Sequence, residues 1–195
     1  MKIILTRHGE TEENREGIVM GGAVHGTLSE LGKEQAIKLA NRLKDEKIDV
    51  IISSDLDRAR LTAEEIAKFH PEAKMELREE LRERYFGEFQ GKKKQEIGNW
   101  IEKITSLDHH ESMENFDTLS KRIKILIKHI EKNYPKKTVV LVGHGAINSA
   151  IINLLLEEEI HKGNITHNTS ITIIELDENG KYLLKLFNCI KHLEE

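Results

Sequence analysis

The sequence predicts an α/β fold, a three-layer α/β/α sandwich with a mainly parallel sheet and a C-terminal antiparallel hairpin. Three observations carry this. Apolar, β-branched runs at Lys2–Thr6, Asp49–Ser53 and Thr138–Val142 alternate with helical patterns, the order expected of parallel strands covered by helices on both faces. A last apolar run, Thr169–Leu176, turns through Asn179-Gly180 into Lys181–Phe187, which reads as a hairpin. The 195 residues suffice for one such domain and scarcely for two, and they contain no repeat or linker. Residues 1–195 are therefore read as a single domain.

The elements follow in order. Ile3-Ile4-Leu5 is the heart of the first strand. Thr27-Leu28-Ser29-Glu30 is a helix-capping signal, and Ala36, Leu39, Ala40 and Leu43 mark the buried face of the helix it starts. The strand ending at Ser53 gives way to a helix within Ser54–Ala63. A further stripe, Phe116, Leu119, Ile123, Leu126, Ile127 and Ile130, belongs to a helix that must stop near Tyr134-Pro135. These stripes are core packing and carry no chemistry. The strand Val139–Val142 ends in Gly143-His144-Gly145, where a last helix begins.

Composition narrows the classes. A net charge of -4 with no basic block argues against a general nucleic-acid binder. Cys189 is alone, so no internal disulfide forms, and no zinc-finger spacing occurs. The longest apolar run, Ala150–Leu156 with Asn153 inside it, is too short to span a bilayer, and no secretory signal is visible. A cytoplasmic protein with no membrane partner is expected.

Polar residues gather where the strands end. Arg7-His8-Gly9-Glu10-Thr11 follows the first strand, at the edge where open α/β sheets bind ligands. The Arg7 guanidinium fork matches phosphate geometry, and Asn14 lies one further turn on. Arg58 falls near a helix N-terminus, an awkward place for a cation unless an anion neutralises it. His144 also opens a helix, where free amides attract anions. Taken singly, each has a bland alternative: a satisfied histidine, a surface salt bridge, a loop asparagine.

Together these segments resemble the histidine phosphatase (phosphoglycerate mutase-like) superfamily. The likeness rests on Arg7-His8-Gly9-Glu10-Thr11, on Ser54 and Arg58 within S-x-x-x-R-A-x-x-T-A, on Glu83 in L-x-E-x-x-x-G, and on Gly143-His144-Gly145. Fainter matches are Leu28-Ser29-Glu30-Leu31-Gly32, Glu114 and Thr169-Ser170. The resemblance implies catalytic His8, Glu83, Arg7, Arg58 and His144. His8 is the nucleophile that takes the phosphoryl group and Glu83 the acid for the leaving oxygen. It also implies substrate contacts from Arg7, Asn14, Gly21, Arg58, Arg84, His144 and Gly145. The substrate is a small phosphorylated metabolite, no cofactor or metal is required, and the protein is a monomer or homodimer.

The chain departs from its relatives at Glu13, where an aromatic residue is usual, and in the loop Gly21-Gly22-Ala23-Val24-His25-Gly26. That loop borders the substrate pocket in relatives, so the substrate does not carry over. The expected activity is phosphomonoester hydrolysis through phospho-His8. The alternative is a cofactor-dependent phosphoglycerate mutase, suggested by Glu83-Arg84-Tyr85-Phe86-Gly87 and Lys92-Lys93-Lys94 but lacking the long segment that mutases insert. A non-enzymatic binder on the same fold ranks below both. A dinucleotide site at Gly143–Asn148 lacks its third glycine and the following acid. The pair His109-His110 reads as a polar loop and not as metal ligands.

Overall fold

The computed structural model describes residues 1–24, 26–100, 102, 111–157 and 166–194. Among them, six strands form one sheet: β1 (Lys2–Arg7), β2 (Val50–Ser53), β3 (Lys74–Leu77), β4 (Thr138–Gly143), β5 (Ile171–Leu176) and β6 (Tyr182–Cys189), in the order β3-β2-β4-β1-β5-β6. From β3 to β1 the neighbours run parallel; β5 is antiparallel to β1 and β6 to β5. The expected mainly parallel sheet with a C-terminal hairpin is what forms. The helices are α1 (Glu12–Arg15), α2 (Glu30–Leu43), α3 (Asp57–Ala67), α4 (Lys94–Ile97), α5 (Phe116–Asn133) and α6 (Gly145–Leu156).

The two-residue period of the strands produces the layers. Ile3, Leu5, Val50, Ile52, Val139 and Leu141 face α5 and α6, packing against Leu119, Ile123, Leu126, Ile147 and Ile151. Their neighbours Ile4, Ile51, Val140 and Val142 point the other way, onto Leu39, Ala40, Leu43, Ala59, Ala63 and Ile66 of α2 and α3. Burial of each Ile or Leu contributes about 1.5–3 kcal/mol, so a polar substitution on either face would destabilise the fold by at least that order. The ends agree with the sequence signals. Ser29 Oγ accepts from Gly32 N at 3.0 Å to cap α2, and α5 stops at Tyr134, just before Pro135.

β3 is the element that the apolar runs do not reveal. It is an edge strand whose Lys74 and Leu77 are exposed, so burial demands no continuous apolar segment there. Its Glu76 is fixed instead by polar contacts from Lys74 at 2.8 Å, His129 at 3.0 Å and the Tyr134 hydroxyl. The hairpin turn is closed by Asp177, whose Oδ1 accepts from Asn179 N and Lys181 N, with Gly180 at φ +79. A smaller cluster of Val19, Phe86, Phe89, Ile97 and Trp100 sits under the segment that follows Glu83. No helix among the described residues is long and apolar enough to cross a membrane. His109-His110 and His25 lie outside the described residues.

Candidate active site

Strand register builds the site. β1 and β4 are adjacent and parallel, with Arg7 opposite Gly143, so the next residues, His8 and His144, emerge side by side from the carboxyl edge. His8 N donates to Gly143 O at 3.1 Å, continuing the ladder by one bond, and the imidazole centroids are 5.0 Å apart. On the other side of β4, Ser53 pairs with Val142, which brings Arg58 in α3 to the same edge. Thr62, one turn later in α3, accepts from Gly9 N at 3.1 Å and donates to Arg58 O at 2.8 Å. Helix α2 approaches equally closely. A Cβ on Gly9 would stand 2.4 Å from Gly32 O, and one on Gly32 would stand 1.9 Å from Glu10 O. Only glycine permits this contact between the His8 loop and α2.

The hydrogen bonds fix the state of both rings. His8 Nδ1 lies 2.7 Å from Gly9 O, an acceptor, so Nδ1 carries the proton and Nε2 presents a lone pair. Arg58 Nε donates to His144 Nδ1 at 3.2 Å, so the neutral His144 ring carries its proton on Nε2. Burial pushes the His8 pKa well below 6.5, and Arg58 and Arg7 push it further against the opposing Gly9 carbonyl. His144 is shifted in the same direction by burial, then Arg58, His8 and Arg7. Arg58 is itself buried, which pulls it down to about 10 while Glu83 and Glu13 oppose the change. Its other nitrogens donate to Val24 O at 2.8 Å and Gly21 O at 2.9 Å. The segment from Gly21 to Val24 thus aims this guanidinium, and Gly21 takes part through its carbonyl.

Arg7 donates to Thr166 O at 2.8 Å. Burial lowers its pKa, with Glu83 acting against the shift. Among the described residues, the buried Nε of Arg7 and Nε2 of His144 meet no hydrogen-bond acceptor. An unmet buried donor costs about 1–3 kcal/mol, and two beside one imidazole mark a place for an oxyanion. Glu83 sits across the opening of α6. Its Oε1 accepts from Ile147 N at 3.0 Å and Arg84 N at 2.9 Å, and its Oε2 from Ala146 N at 3.1 Å. Gly145 is the first residue of that helix.

Asn14 joins through a residue that the sequence reading did not single out. Asn168 Nδ2 donates to His8 O at 2.8 Å and contacts Asn14 Oδ1 at 3.4 Å, which turns the Asn14 amide nitrogen away from Asn168. The available signal was weak: an asparagine just ahead of a buried strand, beside Thr169 at φ +53. Arg84 is near Glu83 in the chain, but its guanidinium stacks on Phe116 at 4.2 Å and its Nε donates to Glu114 O at 2.8 Å. Arg122, also missed, grips Glu114 through two bonds of 2.7 and 2.8 Å and donates to the Glu80 and Arg82 carbonyls. This pair supports the segment bearing Glu83. Asn148, in place of a glycine, donates to Thr6 O at 2.9 Å. No group of three or more His, Cys, Asp or Glu side chains among the described residues is placed to hold a metal ion.

The sequence pattern of the histidine phosphatase superfamily (branch 1) matches residues 3–189. Phosphoserine phosphatase 1 of Hydrogenobacter thermophilus is 34% identical over 212 residues, covering 100% of this chain and 95% of its own. The structure of Bacillus stearothermophilus YhfR superposes with a TM-score of 0.87 at 27% identity, covering 98% of both chains. A phosphoserine phosphatase from Entamoeba histolytica, solved with 3-phosphoglyceric acid, gives 0.83 at 32% identity, again covering 98% of both. With its paired histidines on adjacent strand ends and a match along nearly its whole length, the chain belongs to the histidine phosphatase superfamily, branch 1.

Proposed function

We propose that the protein hydrolyses small phosphomonoesters through a phosphohistidine on His8. The observation that carries this is the pairing of a lone-pair nitrogen with unmet donors: His8 Nε2 free to attack, with Arg7 Nε and His144 Nε2 beside it. The neutral His8 ring attacks phosphorus and forms an N–P bond as the ester P–O bond breaks. Arg7, Asn14, Arg58 and His144 hold the non-bridging oxygens, with Gly145 at the amide end of α6. Glu83 gives its proton to the departing oxygen, then takes one from the water that attacks the phosphohistidine. Gly21 acts by aiming Arg58, and Arg84 by fixing the strap that bears Glu83. Phosphatase names among the relatives support hydrolysis, and the net charge of -4 supports a small substrate over nucleic acid. This reading has residues 1–195 acting as one cytoplasmic domain, a monomer or homodimer.

Trapping tests it directly. Brief incubation with labelled substrate should leave acid-labile, alkali-stable phosphate on the protein, absent in His8→Ala. Full turnover by His8→Ala would overturn the proposal. The mutase reading is favoured by one observation, the half-buried Lys94 ammonium, whose pKa is lowered by burial and by Arg7. Rapid isomerisation of 3-phosphoglycerate primed with its bisphosphate, with little phosphate release, would replace hydrolase by mutase.

A further inference from the structure

A cavity of about 930 Å³ opens beside the site, and Glu83 stands on its wall. Resting on the hydrolase reading, the ester's alcohol must leave through this space, since Glu83 protonates its oxygen. Three guanidiniums and the carboxylates of Glu79, Glu80 and Glu114 line the cavity beside Glu83, which is neutral while it holds the proton it donates, and each guanidinium is already matched. Arg122 is held bidentately by Glu114, and Arg78 meets Glu80 at 2.6 Å. Arg82 donates to Asp55 from Nε at 2.8 Å and from a terminal nitrogen, and reaches Glu79 at 3.2 Å. Asp55 lies behind Arg82, outside the lining, and adds a further negative charge. Lys94 is not part of this wall. An entering carboxylate therefore meets no unmatched cation among the described lining residues, and Glu79, Glu80, Glu114 and Asp55 against the three guanidiniums leave a net negative wall. An ammonium meets the opposite.

We propose that the cavity selects phosphomonoesters whose alcohol is neutral or bears a cation, and rejects those whose alcohol carries an extra carboxylate or phosphate. The discrimination is electrostatic, so it weakens as salt screens the partly open wall. Phosphoryl binding itself is unaffected in kind, because Arg7, Arg58 and His144 lie at the strand edge and do not line the cavity.

Three two-carbon esters of matched length isolate the charge: O-phosphoethanolamine, 2-hydroxyethyl phosphate and 2-phosphoglycolate. The expected kcat/KM order is ethanolamine, then hydroxyethyl, then glycolate, with the anionic ester about tenfold or more below the neutral one at low salt. Raising the salt should narrow that gap. Glu79→Lys, at an exposed position, should raise the glycolate-to-hydroxyethyl ratio by about threefold or more. Phosphoglycolate turned over as fast as the neutral ester, with phosphohistidine still forming on His8, overturns the charge selection and leaves the hydrolase reading standing. If none of the three is hydrolysed and no phosphohistidine forms, the hydrolase reading falls and this inference falls with it.

Discussion

Arg58 donates from Nε to Nδ1 of His144 at 3.2 Å, so the arginine decides which edge of the imidazole carries the proton. The opposite edge, Nε2, is then the one turned to an acceptor. Arg58→Lys keeps a positive charge but loses the fork that also reaches Gly21 and Val24. We expect kcat/KM for p-nitrophenyl phosphate to fall about 100- to 1000-fold. Vanadate inhibition should weaken in parallel. A lysine variant within a few-fold of the parent would show that charge alone suffices.

Glu83 predicts a dependence on the leaving group. An alkoxide needs a proton as it departs, whereas p-nitrophenolate does not. Glu83→Gln should lower kcat/KM, which reports formation of the phosphohistidine, by about 100-fold or more for an alkyl phosphate and by about fivefold or less for p-nitrophenyl phosphate. Equal losses on both substrates would assign Glu83 to anchoring α6 through Ala146 and Ile147 instead.

The buried histidines predict a pH trend in stability with a definite sign. Both His8 and His144 are held neutral below 6.5 by burial first and by Arg58 and Arg7 next. The unfolded chain takes up those protons near 6.5, so it binds more protons than the folded chain in acid. Stability should decline as pH falls below about 6.5, seen as a falling Tm between about pH 7 and 5. His8→Asn should flatten that slope. A Tm indifferent to pH across this window would contradict the burial argument.

Glu76 gives a second, separate window. Burial alone would raise its pKa, but the bonds from Lys74, Tyr134 and His129 outweigh this and hold it at about 2. Its contribution is complete above the unfolded value of 4.5 and disappears as pH falls towards 2. Glu76→Gln should cost on the order of 1–2 kcal/mol at pH 7 in urea unfolding, and almost nothing at about pH 2. A uniform loss at both pH values would mean that shape, and not charge, anchors β3.

The parts of this molecule governed by burial were readable in one dimension. The strands carrying Ile3–Leu5 and Val139–Val142 must be apolar on both faces, and their polar successors His8 and His144 stand out for that reason. β3 escaped because an edge strand with Lys74 and Glu76 needs no such run. Asn168 and Arg122 escaped for another reason. The Asn168 partners, His8 O and Asn14, and the Glu80 carbonyl that Arg122 meets are distant in sequence, and Glu114, though nearer to Arg122, faces it across the start of α5, so no local pattern announces these contacts. Arg84 was visible as a cation near Glu83, yet its position against the Phe116 ring depended on where α5 begins.

The Gly9–Gly32 contact divides labour within the molecule. With backbone pressed on backbone, the stretch that carries His8 has no slack of its own: to shift, it must drag a fourteen-residue helix and its buried leucines along. Accommodation of differently shaped esters therefore falls to the cavity wall around Gly22, Tyr85 and Met113. Evolution of new substrate preferences in this chain should leave the anvil untouched and rework the mouth.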